Sequence, residues 1–173
     1  MRIRRLKGRI GHIYPIRRRI GHIYPLRKLV TSVAVRVKLR IKSLRSNREV
    51  VTSALVNSGF EAETPQLLIP RRLAAELGLW PPPDDACLIE VGTAGGPVRN
   101  YLVPNAAEVT VETGDRSVGA VKCDVMISNL EYEVLISDKL GGELGIVILD
   151  LRGKWRFLDE DKIRETEAPQ YWF

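Results

Sequence analysis

VVTSALVNSG, residues 50–59, is an apolar run that ends in a polar tripeptide. Its first seven residues are rich in β-branched side chains and apolar enough for a largely buried strand. Asn57, Ser58 and Gly59 are turn formers and stop that strand abruptly. Taken alone, the tripeptide is an ordinary polar turn. Its weight comes from what lies on either side.

Upstream, residues 33–42 alternate strictly. Val33, Val35, Val37, Leu39 and Ile41 share one side, and Ala34, Arg36, Lys38, Arg40 and Lys42 share the other. A period of two predicts a half-buried strand, and the polar residues 43–49 predict a turn after it. Downstream, 64–69 reads as a short strand, and Pro70 is suited to a helix start. RRLAAELGL, residues 71–79, sets Leu73, Ala74 and Leu77 on one stripe, with Gly78 placed to end the helix. Trp80 and Pro81-Pro82-Pro83 stop any continuation. Residues 86–91 predict a strand, and Gly92-Thr93-Ala94-Gly95-Gly96-Pro97 a glycine-rich hairpin tip. Residues 101–112 and 117–127 predict strands joined around Gly114-Asp115, and 133–136 a shorter one. Residues 138–144 predict one or two helical turns ending at Gly145. Residues 146–149 and 154–158 predict a hairpin around Arg152-Gly153. The sum is a mostly-β closed barrel with one clear helix and a short C-terminal helix.

Charge divides the chain. Residues 1–50 carry sixteen Lys/Arg and one acid, Glu49, whereas the remaining 123 carry eleven bases and twenty acids. The first 28 residues hold a tandem duplication, RIGHIYPIRR at 9–18 and RIGHIYPLRK at 19–28. Two ten-residue copies are too few for a solenoid. The division expected is therefore a basic duplicated arm at 1–29, a barrel domain at 30–158, and a charged, then aromatic, tail at 159–173. A basic arm suits nucleic acid, anionic lipid or an acidic partner, and equally a solvated extension. His12 and His22 sit ten residues apart with no acid or Cys nearby, so no metal role is expected. Cys87 and Cys123 lack metal-ligand spacing and form no CxxC, which predicts two buried, reduced thiols. No stretch approaches the roughly 20 apolar residues of a membrane span, and the N-terminus lacks the apolar core of a secretory signal. The expectation is a soluble, cytoplasmic protein that needs no cofactor.

Four segments in this order resemble the retropepsin-like aspartic proteases. They are Ala54-Leu55-Val56-Asn57-Ser58-Gly59, where the family has an apolar strand ending in Asp-Thr-Gly or Asp-Ser-Gly; the helix segment LIPRRLAAELGL; the flap-like hairpin 91–101; and Val134-Leu135-Ile136-Ser137-Asp138-Lys139-Leu140, followed by Glu143-Leu144-Gly145-Ile146-Val147-Ile148. The resemblance covers 30–158, about three-quarters of the chain. It implies a retropepsin-like barrel and an aspartic endopeptidase active as a homodimer, each subunit supplying one carboxylate of a proton-sharing pair. It further implies that Ser58 braces the pair, that Gly59 permits a tight turn beneath it, and that Thr93, Ala94, Gly95 and Gly96 tip a substrate-binding flap.

Two positions depart from the pattern. Asn57 stands where the family has Asp, and an amide neither ionises nor serves as a general acid or base, so the chain as written is expected to be inactive. A substitution made to keep the chain uncleaved, a natural catalytically silent relative, and slow deamidation back to the acid all remain open. Ser137 stands where the family usually has Gly. The resemblance also implies substrates with an aromatic-proline bond, so Tyr14-Pro15 and Tyr24-Pro25 are candidate self-cleavage sites. The alternative is a non-catalytic dimeric protein that binds nucleic acid through the arm, with phosphate contacts from the bases and stacking by Tyr14 and Tyr24. A serine hydrolase is disfavoured, because Ser58 lacks a GxSxG elbow.

Overall fold

A computed structural model describes residues 34–173. The duplicated arm, Val33 and the candidate cleavage sites at Tyr14-Pro15 and Tyr24-Pro25 lie outside the described residues. Among those described, the chain is mostly β: β1 (Arg36–Ser43), β2 (Glu49–Val56), β3 (Gln66–Pro70), α1 (Arg71–Glu76), β4 (Cys87–Thr93), β5 (Gly96–Glu112), β6 (Ser117–Ser128), β7 (Val134–Ile136), α2 (Asp138–Glu143), β8 (Ile146–Asp150), β9 (Lys154–Phe157) and β10 (Arg164–Glu165). No described helix is long and apolar enough to cross a membrane.

Six strands close a barrel in the order β1-β2-β7-β3-β6-β5, and β5 returns to β1 with Leu39 opposite Val111 and Ile41 opposite Val109. The alternation in β1 has its expected result: Val35, Val37, Leu39 and Ile41 are buried, while Lys38 and Lys42 are exposed. β7 is threaded between β2 and β3, parallel to the first and antiparallel to the second. Its three residues are too few to be recognised by period alone, and Glu133, expected within it, precedes it. Leu67, Ile69, Ile127 and Ile136 fill the interior, and Leu73, Leu77, Leu140 and Leu144 bring both helices onto the same core. Replacing a fully buried leucine such as Leu73 by Ala would cost about 2–5 kcal/mol.

Local chemistry ends the helices where expected. Gly78 (φ 67°) follows α1 and Gly145 (φ 66°) follows α2, both in the left-handed region that glycine adopts without strain. Gly119 (φ 141°) has a second reason to be glycine. A Cβ there would lie 2.5 Å from Val109 O, at the irregular β5–β6 register beside Thr110.

β5 begins earlier than the sequence suggests, at Gly96, because 96–102 pair with β4 as a hairpin projecting from the barrel. That projection leaves much of β4 open to solvent. Cys87 is consequently exposed, which corrects the expectation that both thiols are buried; both are free. Cys123 is buried, and burial, with Asp124 adjacent, pushes its thiol up to about 12.

Residues 159–173, expected as a separate tail, pack against the barrel. β10 pairs with β9 through Arg164–Trp155 and Glu165–Lys154. The Arg164 guanidinium stacks over Trp155 and Phe157, 5.6 and 4.9 Å from their ring centroids. It also reaches Asp115 at 3.0 Å and pairs with Glu160. Glu167 N donates to Arg36 O at 3.0 Å, and Trp172 N to Tyr132 O at 2.8 Å. Trp172 Nε1 donates to Thr52 Oγ1 at 3.1 Å. Every one of these partners except Lys154, Trp155, Phe157 and Glu160 is remote in sequence, so composition alone describes only a charged and aromatic terminus.

Candidate functional site

β2 delivers Asn57 to the end of the barrel beside β7. The Asn57 N–H continues the ladder by donating to Ile136 O at 3.1 Å. A tight turn follows: Gly59 N donates to Asn57 Oδ1 at 3.1 Å, and Phe60 N to Asn57 O at 3.0 Å. The side chain is thereby fixed by its oxygen. The turn is tied in turn to α2, since Asp138 N donates to Phe60 O at 3.0 Å and Ala62 N donates to Asp138 Oδ1 at 3.0 Å.

Ser137, the second position that departs from the resemblance, has a clear local role. Its Oγ accepts from Leu140 N and from Gln66 N, both at 3.1 Å, so it caps α2 and binds the start of β3. A hydroxyl at this buried position does work that glycine could not.

Asn57 is half-buried, while Ser58 and Gly59 are exposed. Among the described residues Ser58 Oγ makes no hydrogen bond, so any bracing role requires a second molecule. The Gly59 φ lies outside the left-handed region, and a Cβ there would meet only Asn57 Oδ1, at an ordinary 3.5 Å. The turn within one protomer does not demand glycine.

At the tip of the β4–β5 hairpin, Thr93 Oγ1 donates to Gly96 O at 2.6 Å and accepts from Gly95 N at 3.2 Å. Gly96 (φ 107°) makes the turn. Thr93, Ala94 and Gly95 are exposed and line the same cavity as Asn57 and Gly59, of about 720 Å³; Gly96 does not line it. Residue 57 and the hairpin tip, 36 positions apart in sequence, thus face one cleft.

Sequence reasoning did not single out the walls of that cleft. Leu68, Val98, Met126 and Leu135 supply apolar surface, and Asn100 and Ser128 supply polar groups. Ser128 Oγ accepts from Leu130 N and Glu131 N at 3.2 and 3.3 Å, shaping the loop that rims the cleft. The alternation of Val98, Asn100 and Leu102 was the available signal, but proline and charge among residues 97–99 hid it. The cleft is a partly open groove with room for several side chains; Glu61 and Glu131 also line it, and an amide stands at position 57. Position 57 therefore supplies no acid or base. No protein-family model matches the chain. A search of the curated proteins likewise finds no match.

Proposed function

We propose that the chain has the scaffold of a retropepsin-like aspartic endopeptidase, working as a homodimer, and that with Asn57 it holds peptides without cutting them. The observation that carries this reading is the meeting of residue 57 and the hairpin tip on one cleft. A hydrolytic dyad needs two carboxylates sharing a proton, one activating water and the other protonating the scissile amide. One chain offers one position of this kind, so two copies must meet.

Three features support that arrangement. Ser58 and Gly59 are uncovered beside the cleft. The β8–β10 region exposes Leu149, Leu151, Leu158 and Ile163, at 45, 76, 70 and 58 %, apolar side chains available for burial against another copy. β8 and β4 each end their sheets, and an edge strand is what an extended peptide pairs with by strand addition.

The test is Asn57→Asp. The variant should hydrolyse aromatic-proline peptides, including one copying residues 19–28, and intact mass should show loss of its own N-terminal segment after Tyr14 or Tyr24. Asn57 itself should do neither. A variant that stays full length and leaves such peptides intact from acidic to neutral pH would refute the proposal.

A second reading rests on charge, the ten Lys/Arg and no acid among residues 1–28. On that reading the protein binds nucleic acid through its arm, without catalysis. A mobility shift with short RNA or DNA that weakens with salt and vanishes on deleting residues 1–28 would favour it.

A further inference from the structure

Within the candidate cleft, Asn100 is a polar side chain in a setting built mostly from carbon. It is 2 % exposed and lies on β5 opposite Ile89. Its Nδ2 is placed against the sulfur of Met126 at 3.3 Å, a weak acceptor. Its Oδ1 takes no hydrogen bond among the described residues, yet it is not sealed away, because Asn100 lines the cavity and is absent from the buried side chains with closed-off, unsatisfied atoms. An amide oxygen held in an apolar wall and opening on a cavity is a costly arrangement unless something donates to it. Leu68, Val98 and Met126 line the same cavity beside Ser128, Glu61 and Glu131, and until a ligand group enters, water is the donor open to that oxygen.

We propose that Asn100 is a specificity-determining residue that accepts a hydrogen bond from a donor side chain of the bound peptide, so that this part of the cleft selects Ser, Thr, Asn or Gln over aliphatic residues of similar size. The inference rests on the reading of the cleft as a peptide site. Its chemistry follows from the donor inventory. Nδ2 is turned to sulfur, leaving Oδ1 to face the cavity, and Oδ1 can only accept. A hydroxyl or amide N–H entering the cleft satisfies it; a methyl group desolvates it without repayment. Sites built to hydrogen-bond a ligand group discriminate strongly against analogues that lack it. A carboxylate would be rejected as well, since it would bring an acceptor against an acceptor.

The test uses the full chain with Asn57, which holds peptides intact. Fluorescent extended peptides with an aromatic-proline centre, each flanking position varied in turn, are titrated by anisotropy. One position should favour Ser, Thr, Asn or Gln over Val, Leu or Asp by about tenfold, the scale of one buried hydrogen bond. In Asn100→Leu, which keeps the side-chain shape, that preference should invert toward aliphatic residues while other positions are unchanged. Asn100→Ser, smaller and still polar, should keep the polar preference in weakened form, and a thermal melt shows that each variant folds. Binding with no polar preference at any position, or a preference identical in Asn100→Leu, overturns the proposal and leaves the peptide site standing. Absence of binding by every peptide overturns both.

Discussion

The carboxamide oxygen of Asn57 already accepts the Gly59 N–H, and the backbone on each side is bonded to Ile136 and Phe60. A carboxylate oxygen could take the same bond, so the local geometry does not have to change for position 57 to carry an acid. Gly59 next to it is a different kind of residue. Nothing in its own protomer requires the absence of a side chain, and the surface there is open. Gly59→Ala should therefore shift unfolding free energy by no more than about 0.5 kcal/mol, as for other unobstructed surface positions. In the Asn57→Asp background the same change should depress peptide hydrolysis at least tenfold, because in the proposed dimer the added methyl would stand between two facing copies. Chemical denaturation and steady-state hydrolysis check the two halves; a large loss of stability with unchanged hydrolysis would contradict the argument.

Among the elements, the C-terminal segment is held by β-pairing, by Trp172 against the core and by a cluster of ion pairs. Arg164 lies over two aromatic rings that pack edge to face, with Asp115 and Glu160 on it, and Arg116 reaches Asp159 at 3.0 Å and Glu160 at 3.4 Å. These bonds lower the acids' titration. Asp115 is held down by Lys162, Thr113 and Arg164, Asp159 by Arg116, and Glu160 first by Arg164. A carboxylate lowered in the folded state contributes stability above its unfolded value and loses it as pH falls through the folded one. The segment should be unaffected between pH 7 and about 5, where unfolded carboxylates begin to protonate. It should loosen progressively below that. Near-UV circular dichroism of Trp155 and Trp172 during acid titration, repeated in Arg164→Gln, follows this directly; the variant should lose the signal at higher pH than the parent. Elements differ in how far the sequence exposes them. β1 and α1 are written in local periodicity, 2 in the first and 3.6 in the second, and the terminating glycines are written in φ. β10, Trp172 and the early start of β5 depend on partners tens of residues away, and no local period encodes them. The candidate site divides the same way: Asn57 and the hairpin tip stand out as turn chemistry, whereas Asn100 and Met126 are visible only once β5 and β6 lie side by side.

On the scale of the whole molecule, one chain contributes one residue 57 to a cleft that, on the proposed reading, two chains complete. Mixing then becomes informative. If protein carrying Asn57 is unfolded and refolded with increasing amounts of Asn57→Asp chain, pairs with two carboxylates should form as the square of the acidic fraction. Hydrolysis should follow that curve at fixed total protein, and a straight line would mean that single chains act alone. A half-amide pair would occupy peptide and release it uncut. On that reading the exposed turn at Ser58 and Gly59 would make this sequence a subunit poison for any acidic counterpart it paired with, silencing a partner in proportion to its own abundance.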